Sequence, residues 1–305
     1  MNMKVKLAGV ELKNPLMTAS GTFGSGAEYG EYMDLNRLGA VVTKGVANVP
    51  WEGNPTPRIA ETAGGMLNAI GLQNPGIDRF CERDLPFLKQ FDTKIVVNVC
   101  GRSESDYLEV VERLAGEAVD LLEINISCPN VKEGGIAFGQ DPKAVERITA
   151  AVKKKARQPV IMKLSPNVTD IAETARAAQA GGADVLSLIN TLTGMKIDVH
   201  RRCFALANRT GGLSGPAVKP VAVRMVYQAA QAVKIPVIGM GGILTAEDAL
   251  EFILAGASAV AVGTANFVRP DVSVRIVEGL ASYMERYGVE EIGELVGAVK
   301  DAPQS

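Results

Sequence analysis

The chain has 305 residues, 47% of them hydrophobic, with a formal net charge of −2 and a pI of about 5.7. That is ample for one large core, since a (β/α)8 barrel takes about 250 residues, and the near-neutral balance favours neither nucleic acid nor an anionic membrane surface as a partner. Its four cysteines lie far apart with no CxxC pair, so they offer no ligand set for zinc or an iron–sulfur cluster and suit a reducing cytosol, and no apolar run approaches a membrane span.

The opening MNMKVKLAGVEL lacks a signal peptide's apolar region and goes straight into an alternating pattern. Lys4–Leu12 reads as a small hairpin around Ala8-Gly9 that caps the bottom of a barrel. Eight short apolar runs follow: 16–19, 40–43, 95–99, 121–126, 160–163, 185–189, 237–239 and 259–262. Helical patterns at 103–118, 142–156, 168–180, 218–233 and 245–255 lie between them. Strand–helix alternation without a composition break predicts an α/β fold, a (β/α)8 TIM barrel forming a single domain over residues 1–305. An open doubly wound sheet is disfavoured because it would leave two long edges to protect.

Two connections exceed the usual 2–6 residues or so of a βα loop. One runs from Lys44 to about Ile77, the other from Asn190 to Ala217. Both leave strand C-termini, so both are expected on the catalytic face as lids or binding walls. The basic run Lys153-Lys154-Lys155 reads as a solvated helix end.

The strand exits carry an unusual set of side chains. In chain order they present Ser20-Gly21, Lys44-Gly45, Asn98, Asn125, Lys163, Asn190-Thr191, Gly241-Gly242 and Gly263-Thr264. The last two match the phosphate site that barrels often build after their seventh and eighth strands, where glycine lets backbone N–H groups approach phosphate oxygens. A lysine at a strand end inside a barrel needs a partner. Lys44 or Lys163 could form a Schiff base, bind an anion or stabilise negative charge on a cofactor ring. Two lysines with several amides, Asn68 among them, and a phosphate site suit a nucleotide-like ring best. The fourth strand runs into LLEINISCPNVKEGG, which puts Cys128 beside amides and a glycine pair. A thiol on a loop that closes over substrate could act as a base; the bland alternative is an inert packed cysteine. His200, the only histidine, reads as structural or surface, and Trp51 as loop packing. GTFGSG at 21–26 imitates a dinucleotide fingerprint, but no acidic residue ends the next strand, so a nicotinamide site is rejected.

Five segments in order resemble the dihydroorotate dehydrogenase family: NPTPRIAETAGGMLNAIGLQNPG, EINISCPNVKEGGIAFG, KLSPNVTDI, TGGLSGPAVKP and GMGG…VGTANF. The resemblance spans essentially the whole chain. Cysteine at 128 looks like class I, and GGIAFG like its B-type, NAD-linked catalytic subunits. It implies FMN in the barrel mouth and oxidation of dihydroorotate to orotate in pyrimidine biosynthesis. By position, Cys128 would be the catalytic base. Ser20, Gly21, Lys44, Gly45, Asn98, Asn125, Lys163, Ile189, Gly215, Gly241, Gly242, Gly263 and Thr264 would hold the flavin. Lys44, Asn68, Ala69, Ile70, Gly71, Leu72, Asn125, Asn190 and Thr191 would hold the substrate. It further implies a partner subunit carrying FAD and a [2Fe–2S] cluster that passes electrons to NAD. The assembly would be a cytoplasmic heterotetramer of two plus two around a catalytic-subunit homodimer, without nucleic acid or membrane.

Three readings compete with it. A dihydropyrimidine dehydrogenase-like flavin barrel would differ in preferring a substrate without a carboxylate. A Schiff-base aldolase would be colourless and trapped by borohydride. A flavin-binding subunit without catalysis would be indifferent to loss of Cys128.

Overall fold

A computed structural model describes residues 1–126 and 139–301 of the chain. Eight short strands close into a barrel: β1 (Leu16–Thr18), β2 (Ala40–Val42), β3 (Lys94–Val99), β4 (Leu121–Asn125), β5 (Val160–Lys163), β6 (Val185–Leu188), β7 (Val237–Met240) and β8 (Ala259–Val262). Each pairs in parallel with its neighbours in sequence, and β8 closes onto β1 through Val260–Leu16, Ala261–Met17 and Val262–Thr18. Every residue of these strands except Lys94 is buried, as both-face coverage requires. The eight strands read from the sequence are the eight observed, with ends differing by a residue at most.

Helices cover the outside, and their starts are written in the sequence. Ser103 and Asp106 form a reciprocal capping box before Glu104–Leu114, and Thr245 with Asp248 does the same before Ala246–Leu254. Asp141 and Asp170 cap Pro142–Lys155 and Ile171–Ala180. Periodicity did not single out two further helical stretches. One is 76–88, whose middle, Phe80–Asp84, widens to a π turn just before Pro86, a residue with no N–H to give the ladder. The other is Val272–Tyr287, closed by left-handed Gly288 at φ 66°. The N-terminal hairpin pairs Val5–Leu7 with Val10–Leu12 and buries Leu7 and Leu12 in the main core just before β1 begins.

The two long connections are more ordered than loops. Gly65–Asn68 pairs with Ile59–Thr62 in a hairpin, and Thr210–Ser214 pairs with Leu192–Met195. The hairpins then join edge to edge through Gly212–Asn68, Leu213–Leu67 and Ser214–Met66, giving one four-stranded antiparallel sheet. Its strands are short and glycine-rich, which hides the period-two signal. Among the described residues no helix is long and apolar enough to cross a membrane.

Candidate active site

The strand C-termini and the four-stranded sheet enclose a cavity of about 310 Å³, at the lower end of the range for small-molecule sites. Ser20, Lys44, Asn98, Asn125, Lys163 and Asn190 line it with polar atoms. Met66, Leu213 and Phe267 supply apolar wall.

The floor is a buried polar network. Lys163, 3% exposed, ends β5 and points its ammonium between two partners. Its Nζ donates to Ser20 Oγ at 3.0 Å and lies 3.8 Å from Glu123 Oε2. Glu123, 2% exposed, accepts from Asn98 Nδ2 at 2.6 Å and from Ser187 Oγ at 2.7 Å. Asn125 Nδ2 donates to Asn98 Oδ1 at 3.4 Å, and Asn190 Nδ2 donates to Asn125 Oδ1 at 3.3 Å. Tyr107, buried under β4, donates its hydroxyl to the Asn125 carbonyl at 2.8 Å. Strand alternation explains the grouping: Asn98 and Glu123 are register partners on adjacent β3 and β4, and Ser187 pairs with Lys163 of β5, which lies between β4 and β6.

Glycines form the opposite wall. Gly242 has φ 79°, and a Cβ there would lie 2.8 Å from the Gly215 carbonyl oxygen and 3.0 Å from the Lys219 backbone nitrogen. The amino end of the helix Lys219–Ala232, the positive end of its dipole, therefore abuts this wall. Gly263 differs: it is not left-handed, and a Cβ would meet only Ala19 Cβ at 3.4 Å and Thr22 at 3.7 Å. Neither its backbone nor any described neighbour requires glycine at that position. Thr264 Oγ1 donates to Ser214 Oγ at 2.7 Å on the same wall. A phosphorylated planar group fits this division of glycine wall and polar floor.

The structure brings together Ser20, Gly21, Lys44, Gly45, Asn98, Asn125, Lys163, Ile189, Gly215, Gly241, Gly242, Gly263 and Thr264 around the one cavity. Asn68, Ile70, Gly71, Leu72, Asn190 and Thr191 line it too. Ala69 does not: it is fully buried behind the sheet with Leu67 and Leu206. Its neighbours Asn68 and Ile70 take the cavity side. Cys128 lies outside the described residues. GTFGSG runs into turns and a short 3-10 segment, Tyr29–Glu31, so no helix of dinucleotide-binding type opens there. Trp51 packs with Ala47 and Cys100 under the Arg102 guanidinium, 4.5 Å from the ring centroid. Glu123, Ser187 and Ser214 were not singled out from the sequence. A signal for Glu123 was present, since a lone charge inside the apolar run LLEIN is costly unless paired.

The chain matches the family described as Dihydroorotate dehydrogenase over residues 2–284. It is 70% identical, over 98% of its length and all of the relative's, to "Dihydroorotate dehydrogenase B (NAD(+)), catalytic subunit" of Lachnoclostridium phytofermentans. It is 66% identical to the protein of the same name from Alkaliphilus metalliredigens, over 98% of this chain and 99% of that one. Among solved structures it resembles the Eimeria tenella DHODH crystallised with ferulenol, with a TM-score of 0.80 over 97% of this chain and 88% of that one. At 24% identity, that likeness speaks to the fold.

Proposed function

The chain belongs to the dihydroorotate dehydrogenase family and oxidises dihydroorotate to orotate; from that premise we propose how its barrel mouth is used. Family membership removes the Schiff-base alternative that Lys163 and Lys44 left open. FMN would be held in the cavity, with Gly215, Gly241, Gly242, Gly263 and Thr264 available to its phosphate and Ser20, Asn98 and Lys163 to its ring. The observation that carries this is Gly263, where no described residue stands against a side chain and an occupant of the cavity would. When bound, the flavin supplies the acceptor for the substrate's hydride.

The residues of the chain do the rest. Asn68, Asn125, Asn190 and Thr191 offer neutral donors and acceptors suited to a pyrimidine's amide edges. The Lys44 ammonium, 3.9 Å from where a Gly21 side chain would begin, meets the substrate carboxylate. The Lys163 ammonium lies at the floor, where it would stabilise negative charge on a bound flavin. The antiparallel sheet built from the two long connections holds Asn68 and the Thr191 region in fixed register, as substrate positioning requires. Cys128, by its place in NISCPN, takes the proton from substrate C5.

The relatives' name, a catalytic subunit linked to NAD, supports a separate electron-transfer partner. We assign FAD and a [2Fe–2S] cluster to that partner, in a cytoplasmic heterotetramer of two plus two on a catalytic homodimer. The test is an anaerobic titration of the purified chain with dihydroorotate. A yellow protein whose flavin absorbance bleaches is expected. A preparation that stays colourless with added FMN refutes the cofactor, and one that reduces with dihydrouracil in preference refutes the substrate.

A further inference from the structure

Glu123 contacts neither the cavity nor anything in it, yet every cavity amide on the β3–β6 side connects to it. The chain of hydrogen bonds has a direction. Glu123 Oε2 accepts from Asn98 Nδ2 at 2.6 Å, Asn98 Oδ1 accepts from Asn125 Nδ2 at 3.4 Å, and Asn125 Oδ1 accepts from Asn190 Nδ2 at 3.3 Å. Asn190 Oδ1 then accepts from the Thr191 backbone N–H at 2.8 Å. An asparagine side chain is nearly symmetric in shape, with a donor on one arm and an acceptor on the other. Packing alone does not choose between its two orientations. An ion-paired carboxylate does, because it can only accept. With Lys163 3.8 Å from the same Oε2, and Ser187 donating to Oε1 at 2.7 Å, both oxygens of Glu123 are committed as acceptors.

We propose that Glu123 is a positioning residue that sets the amide polarity of Asn98, Asn125 and Asn190, and thereby the pattern of donors and acceptors offered to the pyrimidine ring. The inference rests on the reading that Asn125 and Asn190 hold the substrate, with Asn98 the link between them and the carboxylate. Asn98 must turn its NH2 down to the carboxylate, which turns its oxygen towards Asn125. That oxygen draws the Asn125 NH2, and the Asn125 oxygen draws the NH2 of Asn190. The order is propagated one residue at a time from a fixed end, through side chains 0% and 4% exposed at Asn98 and Asn125. Reversing any one amide would set donor against donor or acceptor against acceptor at two contacts. A site that recognises a ring with alternating N–H and C=O groups depends on that order, because a buried polar group facing its like is left unpaired.

Two variants separate acceptor from charge and packing. Glu123→Met keeps the length and removes every acceptor. Glu123→Gln removes the charge but keeps a carbonyl, which the Lys163 ammonium draws to the Asn98 side. The readout is the orotate dissociation constant of the FMN-loaded protein, taken from the shift in flavin absorbance, beside flavin content per chain. Glu123→Met is expected to weaken orotate roughly tenfold to hundredfold, the usual result of leaving one buried donor or acceptor unpaired. Glu123→Gln should recover most of it, and Ser187→Ala, which leaves the Asn98 contact in place, should stay within about twofold of the parent. Wild-type orotate affinity in Glu123→Met overturns the proposal, and so does a Glu123→Gln protein as weak as Glu123→Met. A parent protein that binds no orotate would instead refute the substrate reading. Should Glu123→Met fail to fold, neutron diffraction of the parent exchanged into D2O decides directly. Deuterium is expected on Asn98 Nδ2 facing Glu123 and on Asn125 Nδ2 facing Asn98; either amide in the opposite sense overturns the assignment.

Discussion

Gly263→Ala separates the stability of the barrel from the occupancy of its mouth. The new methyl would sit 3.4 Å from Ala19 Cβ and 3.7 Å from Thr22 Oγ1, ordinary contact distances, on a backbone that is not left-handed. Removing glycine's freedom in the unfolded chain should therefore stabilise the flavin-free protein by about 0.4–1 kcal/mol. The same methyl occupies cavity space at the wall assigned to the phosphate. Overpacking a fitted contact costs about 1–3 kcal/mol, and each 1.4 kcal/mol or so is tenfold in affinity. FMN should bind roughly 5-fold to 140-fold more weakly by that conversion. The assay is thermal unfolding of the flavin-free chain beside FMN titration followed by quenching of flavin fluorescence. Equal FMN affinity would refute the argument that the occupant explains the glycine. Lowered stability without flavin would refute the argument that the protein leaves the position open.

Gly239→Ala should behave in the opposite way, losing about 1–3 kcal/mol of stability in the flavin-free chain, because its Cβ would lie 2.6 Å from the Phe252 ring; an unchanged melting temperature would contradict that packing. Lys163→Ala removes the ammonium paired with the buried Glu123, so it should slow flavin reduction by dihydroorotate in stopped-flow experiments and destabilise the fold by about 3 kcal/mol; a wild-type reduction rate would remove Lys163 from the floor's electrostatics. Burial pushes the Asp248 carboxyl up, but the Lys219 ammonium and the N–H groups of Leu244 and Thr245 outweigh it and hold it below its ordinary value. Its stabilisation is therefore full above the ordinary carboxylate range near pH 4 and lost as pH falls through the lowered value, so Asp248→Asn should cost about 0.5–1 kcal/mol at pH 7 and progressively less in acid; a gap in melting temperature that does not shrink in acid would reverse the sign. Cys128→Ser should keep the flavin yet slow turnover at pH 7, since a hydroxyl is a far poorer base than a thiol; unchanged turnover would remove Cys128 from the proton transfer.

The barrel was legible because parallel strands covered on both faces must be short and apolar, and because each exit collects the polar residues the core excludes. Lys163 and Asn125 announced themselves in this way: each ends an apolar run that it does not otherwise fit. The antiparallel sheet over the mouth was not legible. Its Gly65–Asn68 and Thr210–Ser214 strands carry too few large side chains to alternate, and their pairing spans some 145 residues of chain. Resemblance drew Ala69 into the substrate set as part of a contiguous stretch. A strand turns alternate residues to opposite sides, so Asn68 and Ile70 reach the cavity and Ala69 packs behind. Glu123 was passed over because the apolar pattern around it marked a core strand, and a core strand directs attention to its end.

The Glu123–Lys163 pair is poorly explained by stability alone. Both side chains are at most 4% exposed, and their N–O separation of 3.8 Å is long for an ion pair. Taking two such charges out of water costs several kcal/mol each, which a loose contact does not return in full. Apolar residues of like volume would fill the same layer of the barrel at less cost. The compensation lies in what surrounds the pair. Glu123 is held by Asn98 and Ser187 of two other strands, and Lys163 by Ser20 in the turn after β1, so each charge is bonded to a neutral group from another element. Such an arrangement fixes positive charge directly under the cavity, with its counter-charge one layer below, and it does so on strands rather than on loops. A site that must stabilise negative charge as it develops needs that geometry set in advance. On the proposed function, the pair serves the chemistry of the site rather than the stability of the fold.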